Sequence, residues 1–351
     1  MSTETVDPAQ QRAEKLKDLQ GRFEDLQESL LLTRVLNNVE QVGTGLSLLP
    51  NKVEQLRTRG YAFRGFLENK IKVLGDKWQE TRASVTREIS KRTRDLKQEA
   101  EEAEGALRQA TTVKSDSALS RAESAIGSLE SKVRAAESAV EAMYNTFEQN
   151  VNQTSRQVEE IEWLLTQIDE ACFELHPAED PISACEAEYM ETEKEGPKGI
   201  LYLTDARLIF ERKEDVATKK VLFITTQKET VHELLLEVPI GQIEEVKAQD
   251  KKKFLGRKEM LELFFAPEAD FSGATFRLHG GAKNEDWDAL ISRVKSGEID
   301  KERAFPKDEE VVEAARSAPT KCTTCGATLP AEIVRGQHEI TCEYCGSVVR
   351  F

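Results

Sequence analysis

The chain has 351 residues, a length that allows two or three folding units and excludes a single small domain. Its 49 Lys and Arg stand against 64 Asp and Glu, a formal charge of −15, so the chain as a whole repels nucleic acid and any phosphate contact must be local. With 39% hydrophobic, 32% charged and 6% aromatic residues, the composition indicates that part of the chain forms little core of its own.

The location of the protein is indicated by its apolar runs and its cysteines. No run approaches the roughly 18 to 20 apolar residues that span a bilayer, and the amino terminus lacks a basic segment followed by an apolar one. Four of the six cysteines fall in a close-spaced metal pattern, whereas Cys172 and Cys185 have no partnering pattern. We therefore expect a cytoplasmic protein.

Residues 8–173 are predicted to form a long-helix coiled coil, because apolar side chains recur at alternating steps of three and four. A break is predicted near 43–50, since Gly43 and Gly45 are permissive and Pro50 lacks the backbone donor of a helix interior. We expect the apolar seam to support a homo-oligomer or to bind partner helices. The most regular part of the seam comprises Leu119, Ala122, Ile126, Leu129, Val133, Ala136, Val140, Met143 and Phe147.

The second and third helical segments meet near residues 111–118, where Ser115, Asp116 and Ser117 offer N-cap side chains. A hairpin with two antiparallel arms is predicted there. One continuous helix is the alternative, because no glycine or proline forces a turn in this interval.

The stretch 52–94 is basic, with twelve Lys and Arg against five Asp and Glu and with aromatic residues interleaved. A stretch of this kind can contact anionic lipid. Alternatively, its charges pair with an acidic cluster in the third helical segment, formed by Glu159, Glu160, Glu162, Asp169 and Glu170.

From about residue 182 the pattern becomes strand-like and ends in an amphipathic helix bearing Trp287. Residues 199–211 read GILYLTDARLIFE and resemble the strand–turn–strand core of GRAM and related pleckstrin-homology-like domains. The resemblance extends over about 182–298. It implies a bent antiparallel sheet capped at one end by a helix, in an adaptor domain that binds phosphoinositides or proteins.

A basic loop with an apolar tip lies inside this domain. Its cations can contact phosphates while Phe254 and Leu255 enter a headgroup layer, and a solvated turn is the alternative. The candidate residues for binding an anionic ligand are Lys251, Lys252, Lys253, Arg257 and Lys258.

After a linker at 299–319, residues 320–351 are predicted to form a zinc ribbon. Two Cys-x-x-Cys pairs separated by sixteen residues match the spacing of a four-thiolate site. Such a site has no open position, so we expect one structural Zn²⁺ ion; a rubredoxin-type iron centre and four metal-free thiols are alternatives. The predicted ligands are Cys322, Cys325, Cys342 and Cys345.

Together these features predict a multidomain α + β protein: a coiled coil, an antiparallel β domain of the GRAM or pleckstrin-homology type, and a zinc ribbon. Four scattered histidines and the absence of known nucleophile or phosphate-loop motifs favour a protein that is not an enzyme. We expect an oligomeric scaffold that recruits protein partners or binds peripherally to an anionic membrane. The alternative is a ribbon protein associated with nucleic acid or transcription, which the neutral charge of residues 320–351 disfavours.

Overall fold

The computed structural model describes residues 7–192, 195–221, 224–253, 256–310, 312–313, 321–329 and 339–350. The chain divides into two compact units, Met1–Asn51 with Glu68–Arg156, and Lys52–Leu67 with Gln157–Phe351. The helices are α1 (Pro8–Ser29), α2 (Thr33–Thr58), α3 (Leu67–Val113), α4 (Asp116–Asp169) and α5 (Asn284–Lys295). The strands are β1 (Pro181–Tyr189), β2 (Lys198–Thr204), β3 (Arg207–Val221), β4 (Ile224–Pro239), β5 (Ile243–Lys253), β6 (Gly256–Phe265), β7 (Gly273–Leu278), β8 (Glu339–Thr341) and β9 (Val348–Arg350).

In the first unit, α1 and α2 lie parallel to α4. Ion pairs between them occur in the same order along both segments of the sequence, from Lys15 Nζ with Glu123 at 2.6 Å to Arg34 with Glu137 at 2.9 Å. A continuous row of buried side chains lies beneath these pairs, and Ile126 of α4 is fully buried. Helices α1 and α2 are therefore packed against α4.

Helix α3 lies antiparallel to α4. Trp78 stacks on Phe147 with ring centroids 5.0 Å apart, and Glu99 forms an ion pair with Lys132. The contact residues rise in number along α3 and fall along α4, so the two helices run in opposite directions.

Helices α1 and α2 follow one another along α4 and together form one arm, so the unit is a bundle of three helical arms. Most of the apolar seam that predicted self-association is buried within a single chain. Met143 is 40% exposed, and the neighbouring Tyr144 is buried instead.

The predicted break at 43–50 is wrong, because α2 continues through it as helix. A Cβ atom at Gly43 would lie 3.0 Å from Nε1 of Trp78, so this glycine allows close approach of α3. Burial of Leu46 and Leu49, which are 5% and 2% exposed, offsets the roughly 3 kcal/mol that an interior proline such as Pro50 costs. The interruptions lie at 30–32 and 59–66 instead.

Helices α3 and α4 are joined at Lys114 and Ser115, inside the interval 111–118, so a continuous helix does not form there. Lys114 has a φ of 52°, and the Ser115 hydroxyl accepts a hydrogen bond from the Ala118 amide at 3.2 Å. The cap satisfies an amide at the start of α4 that has no partner within the helix.

The second unit contains a seven-stranded antiparallel sheet in the order β4-β3-β2-β1-β7-β6-β5. Helix α5 follows β7 and packs on β5 and β6 through Trp287 and Ile291. Tyr202, Phe210 and Phe276 are fully buried at the centre of the sheet. The strand order and the following helix agree with the pleckstrin-homology-like architecture that the sequence resemblance implied.

The start of the predicted linker at 299–319 is packed structure. Glu298–Glu302 is a short 3-10 helix with Ile299 buried, and the Arg303 side chain is only 8% exposed between Asp180 and Asp205. Sequence patterns missed this segment because a few buried residues and charges in a polar run have no recognisable period. Residues 311 and 314–320 lie outside the described residues.

The two glycines of α2 provide a matched test of the helix packing. Gly43→Leu should destabilise the bundle by about 1–3 kcal/mol, because the new side chain meets Trp78. Gly45→Leu should be neutral or stabilising by about 0.5–1 kcal/mol, because a Cβ there has nothing within 4 Å and glycine is a poor helix former. Thermal unfolding followed by far-ultraviolet circular dichroism measures both; equal effects would contradict the α2–α3 contact.

Candidate metal centre and candidate anion-binding hairpin

The four predicted cysteine ligands lie on two equivalent turns. In each turn the glycine after the second cysteine donates its amide to the carbonyl of the first, Gly326 to Cys322 and Gly346 to Cys342, both at 2.8 Å. Both glycines have left-handed backbones, with φ of 74° and 71°. Because residues with a Cβ rarely adopt this conformation, the glycines allow the chain to fold back and bring two sulfurs together.

The four sulfurs form one cluster in which all lie within 4.8 Å of one another. The Sγ atoms of Cys322 and Cys345 are 3.6 Å apart, as are those of Cys325 and Cys342. Sulfurs bound tetrahedrally to zinc at about 2.3 Å would be about 3.8 Å apart, whereas a disulfide requires about 2.05 Å. The donor set therefore fits a tetrahedral Zn²⁺ ion bound by four thiolates.

The ribbon around the cluster is small. Strands β8 and β9 pair over three residues each, and the buried residues are Cys322, Leu329, Ile340, Cys342 and Val349. A hydrogen bond between Cys345 and Ser347 lowers the pKa of the Cys345 thiol to about 6, which favours the thiolate that binds metal. With so few apolar side chains, we expect the metal to contribute most of the ribbon's stability.

The five candidate anion-binding residues all lie at the end of the β5–β6 hairpin. Backbone pairing places Lys251 opposite Lys258, Lys252 opposite Arg257, and Lys253 opposite Gly256. Phe254 and Leu255, the predicted apolar tip, lie outside the described residues. The hairpin thus brings positions of like charge into register across two strands.

The motif that resembles a GRAM core is part of a buried polar network. The Thr204 hydroxyl donates to Glu179 at 2.6 Å and accepts the Arg207 amide at 2.9 Å, which closes the β2–β3 turn. The Arg207 guanidinium donates to Glu179 and forms an ion pair with Glu237. These polar residues of the motif therefore have a structural role.

Part of the basic stretch 52–94 pairs with the acidic end of α4, as one interpretation of the sequence proposed. Within the second unit, Arg59 contacts Asp169 at 2.7 Å and Arg64 contacts Glu160 at 3.0 Å. Lys52 adds a longer pair with Glu162 at 3.9 Å. The cations on the outer face of α3 belong to the first unit and are a separate group.

The two remaining cysteines lie in the second unit. Partial desolvation, together with the nearby Glu211 carboxylate, raises the pKa of the exposed Cys172 to about 11. Burial also raises the pKa of Cys185. Both are therefore protonated thiols at neutral pH, the form that is the weaker nucleophile.

Two recesses in the second unit had no signal in the sequence. One recess, of about 540 Å³, is bordered by the end of α4, by β1 and by α5. Trp163, Ile182 and Leu290 are in its walls. The other, of about 940 Å³, lies beside Arg303 and is lined by Pro177. Each is assembled from segments far apart in the chain, so no local motif identifies it.

Among the described helices, none combines the length and apolarity needed to cross a bilayer.

No protein-family model and no curated protein matches this chain. Among solved structures, it is similar to the Vps36 N-terminal PH domain at 15% identity, covering 35% of this chain and 83% of that one, with a TM-score of 0.22. The DH/PH domains of p115-RhoGEF match at 14% identity over 83% of this chain and 95% of theirs, with a TM-score of 0.19. A complex of human RhoA with the DH/PH fragment of PDZRHOGEF matches at 10% identity over 84% and 96%, with a TM-score of 0.25.

Elemental analysis of the purified chain should find one zinc ion per molecule. Cys325→Ser removes one of four ligands and should abolish stoichiometric zinc and unfold the ribbon, seen as loss of its dispersed amide signals in NMR spectra. Cys172→Ser is the matched control, because this cysteine lies outside the cluster. Iron in place of zinc, or full zinc content in Cys325→Ser, would contradict the assignment.

Proposed function

We propose that the protein is a non-enzymatic cytoplasmic adaptor that binds an anionic membrane surface or partner proteins through its pleckstrin-homology-like domain. The zinc ribbon serves as a second module for protein interaction. The observation that carries the proposal is the β5–β6 hairpin, whose paired strands bring five basic positions to one end.

The register of this hairpin concentrates basic positions at one end of the sheet. Backbone pairing places Lys251 opposite Lys258 and Lys252 opposite Arg257. A cluster of basic residues attracts an anionic membrane, and each Lys or Arg residue near such a surface contributes about 1 kcal/mol.

The ribbon supports an interaction role over a catalytic one. Its four sulfurs fill a tetrahedral coordination shell and leave no position for water or substrate on the metal. One knuckle presents Tyr344, which is 80% exposed, and Val348, four residues later at the start of β9, is 50% exposed. Aromatic side chains exposed in this way are typical of protein contacts.

Flotation with liposomes tests the membrane contact. The full chain should float with anionic phosphatidylserine vesicles at low salt, not at high salt, and not with phosphatidylcholine alone. Changing Lys251, Lys252, Lys253, Arg257 and Lys258 to Glu should abolish flotation.

The control variant carries the same change of net charge at five exposed cations scattered over the helices: Lys17, Lys97, Arg121, Arg134 and Arg156 to Glu. It should float like the unmodified chain. Equal loss in both variants would mean that only net charge matters, and no flotation of the unmodified chain would direct the search to protein partners.

A further inference from the structure

The outer face of α3 has two halves of opposite charge. Between Glu68 and Arg94 eight Lys and Arg stand against four Asp and Glu, whereas between Asp95 and Glu104 five Asp and Glu stand against Lys97 alone. The boundary falls between two adjacent residues near the middle of the helix. Both halves belong to the first unit, so their arrangement along one helix is fixed.

The basic half carries cations that have no ion-pair partner among the residues the structure describes. Arg87, Lys91 and Arg94 are exposed and lie at i, i+4 and i+7, which places them on one face. Neighbouring cations of the same helix are paired: Arg82 with Glu40 at 3.1 Å, and Arg92 with Glu88 at 2.7 Å. Like charges at this spacing repel one another, and an anionic partner would relieve the repulsion.

The acidic half shows the same contrast. Glu99 and Glu104 are paired, with Lys132 and with Arg108 respectively. Three further carboxylates are exposed and have no ion-pair partner in the described part of the chain: Asp95, Glu101 and Glu102. The unpaired cations are thus followed by unpaired anions on the next turns of the same helix.

We infer that this face binds the same face of a second copy of the chain, with the two α3 helices antiparallel. A two-fold axis at Leu96, midway between Arg94 and Gln98, places Lys91 of one copy opposite Glu101 of the other. Both residues are about 7.5 Å from that axis at 1.5 Å per residue, so their charges meet. Arg87 of one copy lies about 4.5 Å along the helix beyond Glu102 of the other, within reach of its long side chain. The cation cluster of each copy faces the anion cluster of the other, so this contact forms twice, as a two-fold interface requires.

An anionic membrane is the competing partner for the basic half. A membrane laid along α3 would also meet Asp95, Glu101 and Glu102, which it repels, because Asp95 follows Arg94 directly and the two glutamates lie about two turns further along the exposed helix. A second copy satisfies both halves at once. The dimer arises from this charge pattern and not from the apolar seam, which the bundle buries, and it is independent of the proposed adaptor role.

A charge-swap experiment on the full chain tests the dimer. One variant carries Arg87→Glu, Lys91→Glu and Arg94→Glu, and the other Asp95→Lys, Glu101→Lys and Glu102→Lys. Sedimentation velocity over a concentration series should show the unmodified chain as a dimer at low salt and a monomer at high salt. Each variant alone should dimerise at least about tenfold more weakly, because several attractive pairs become repulsive.

Complementarity predicts two rescues. An equimolar mixture of the two variants should form a heterodimer, and a chain carrying all six changes should dimerise again. The control Lys17→Glu, Arg121→Glu and Arg134→Glu, which has the same net charge as the first variant, should dimerise like the unmodified chain. Circular dichroism checks that every variant keeps its helices.

The inference is overturned if the unmodified chain is monomeric at low salt, or if either variant alone dimerises normally. It is also overturned if the mixture does not associate. Vesicle flotation lost in the first variant, with every sample monomeric, would assign the basic half of α3 to a membrane instead. The β5–β6 hairpin variant should dimerise normally, so failure here and failure of the adaptor proposal can be told apart.

Discussion

A single buried guanidinium holds the second unit together. Arg303 donates to Asp180 at 2.7 Å, pairs with Asp205, and lies 4.4 Å from the ring centroid of Phe63. It thereby ties the segment after α5 to the start of β1, to the β2–β3 turn and to the loop at 59–66. A charge that is buried away from water is stable only when a partner of opposite charge compensates it. Removing one member of such a cluster therefore lowers the free energy of unfolding by about 3–5 kcal/mol, far more than removing a surface ion pair does.

This contact explains why the domain boundaries differ from a simple succession of modules. The loop at 59–66 belongs to the β-sheet unit: the Gly65 amide donates to the Glu302 carbonyl and the Ala304 amide to the Ala62 carbonyl, both at 2.7 Å. The buried Tyr61 hydroxyl reaches the Ile182 carbonyl at 3.2 Å. Residues from three distant parts of the chain therefore build one core, and a fragment that begins at 182 and ends at 298 lacks two of them.

Features with a short-range cause were predictable from sequence. The cysteine turns need only two close cysteines and a glycine, and the structure brings all four together as the spacing required. The antiparallel strands and α5 likewise follow from local patterns. The break at 43–50 was wrong because Gly43 serves a contact with Trp78, which no local pattern reveals. Arg303 lies in a polar run with no period, so its partners become visible only once the fold is known.

Hydrogen exchange of the full chain, comparing Arg303→Met with the exposed control Lys301→Met, tests this account most directly. If Arg303 holds the loop against the sheet unit, the Gly65 and Ala304 amides should exchange about a hundredfold faster in Arg303→Met and at the unmodified rate in Lys301→Met. Unchanged protection of both amides in Arg303→Met would contradict the claim that this side chain unites the three segments.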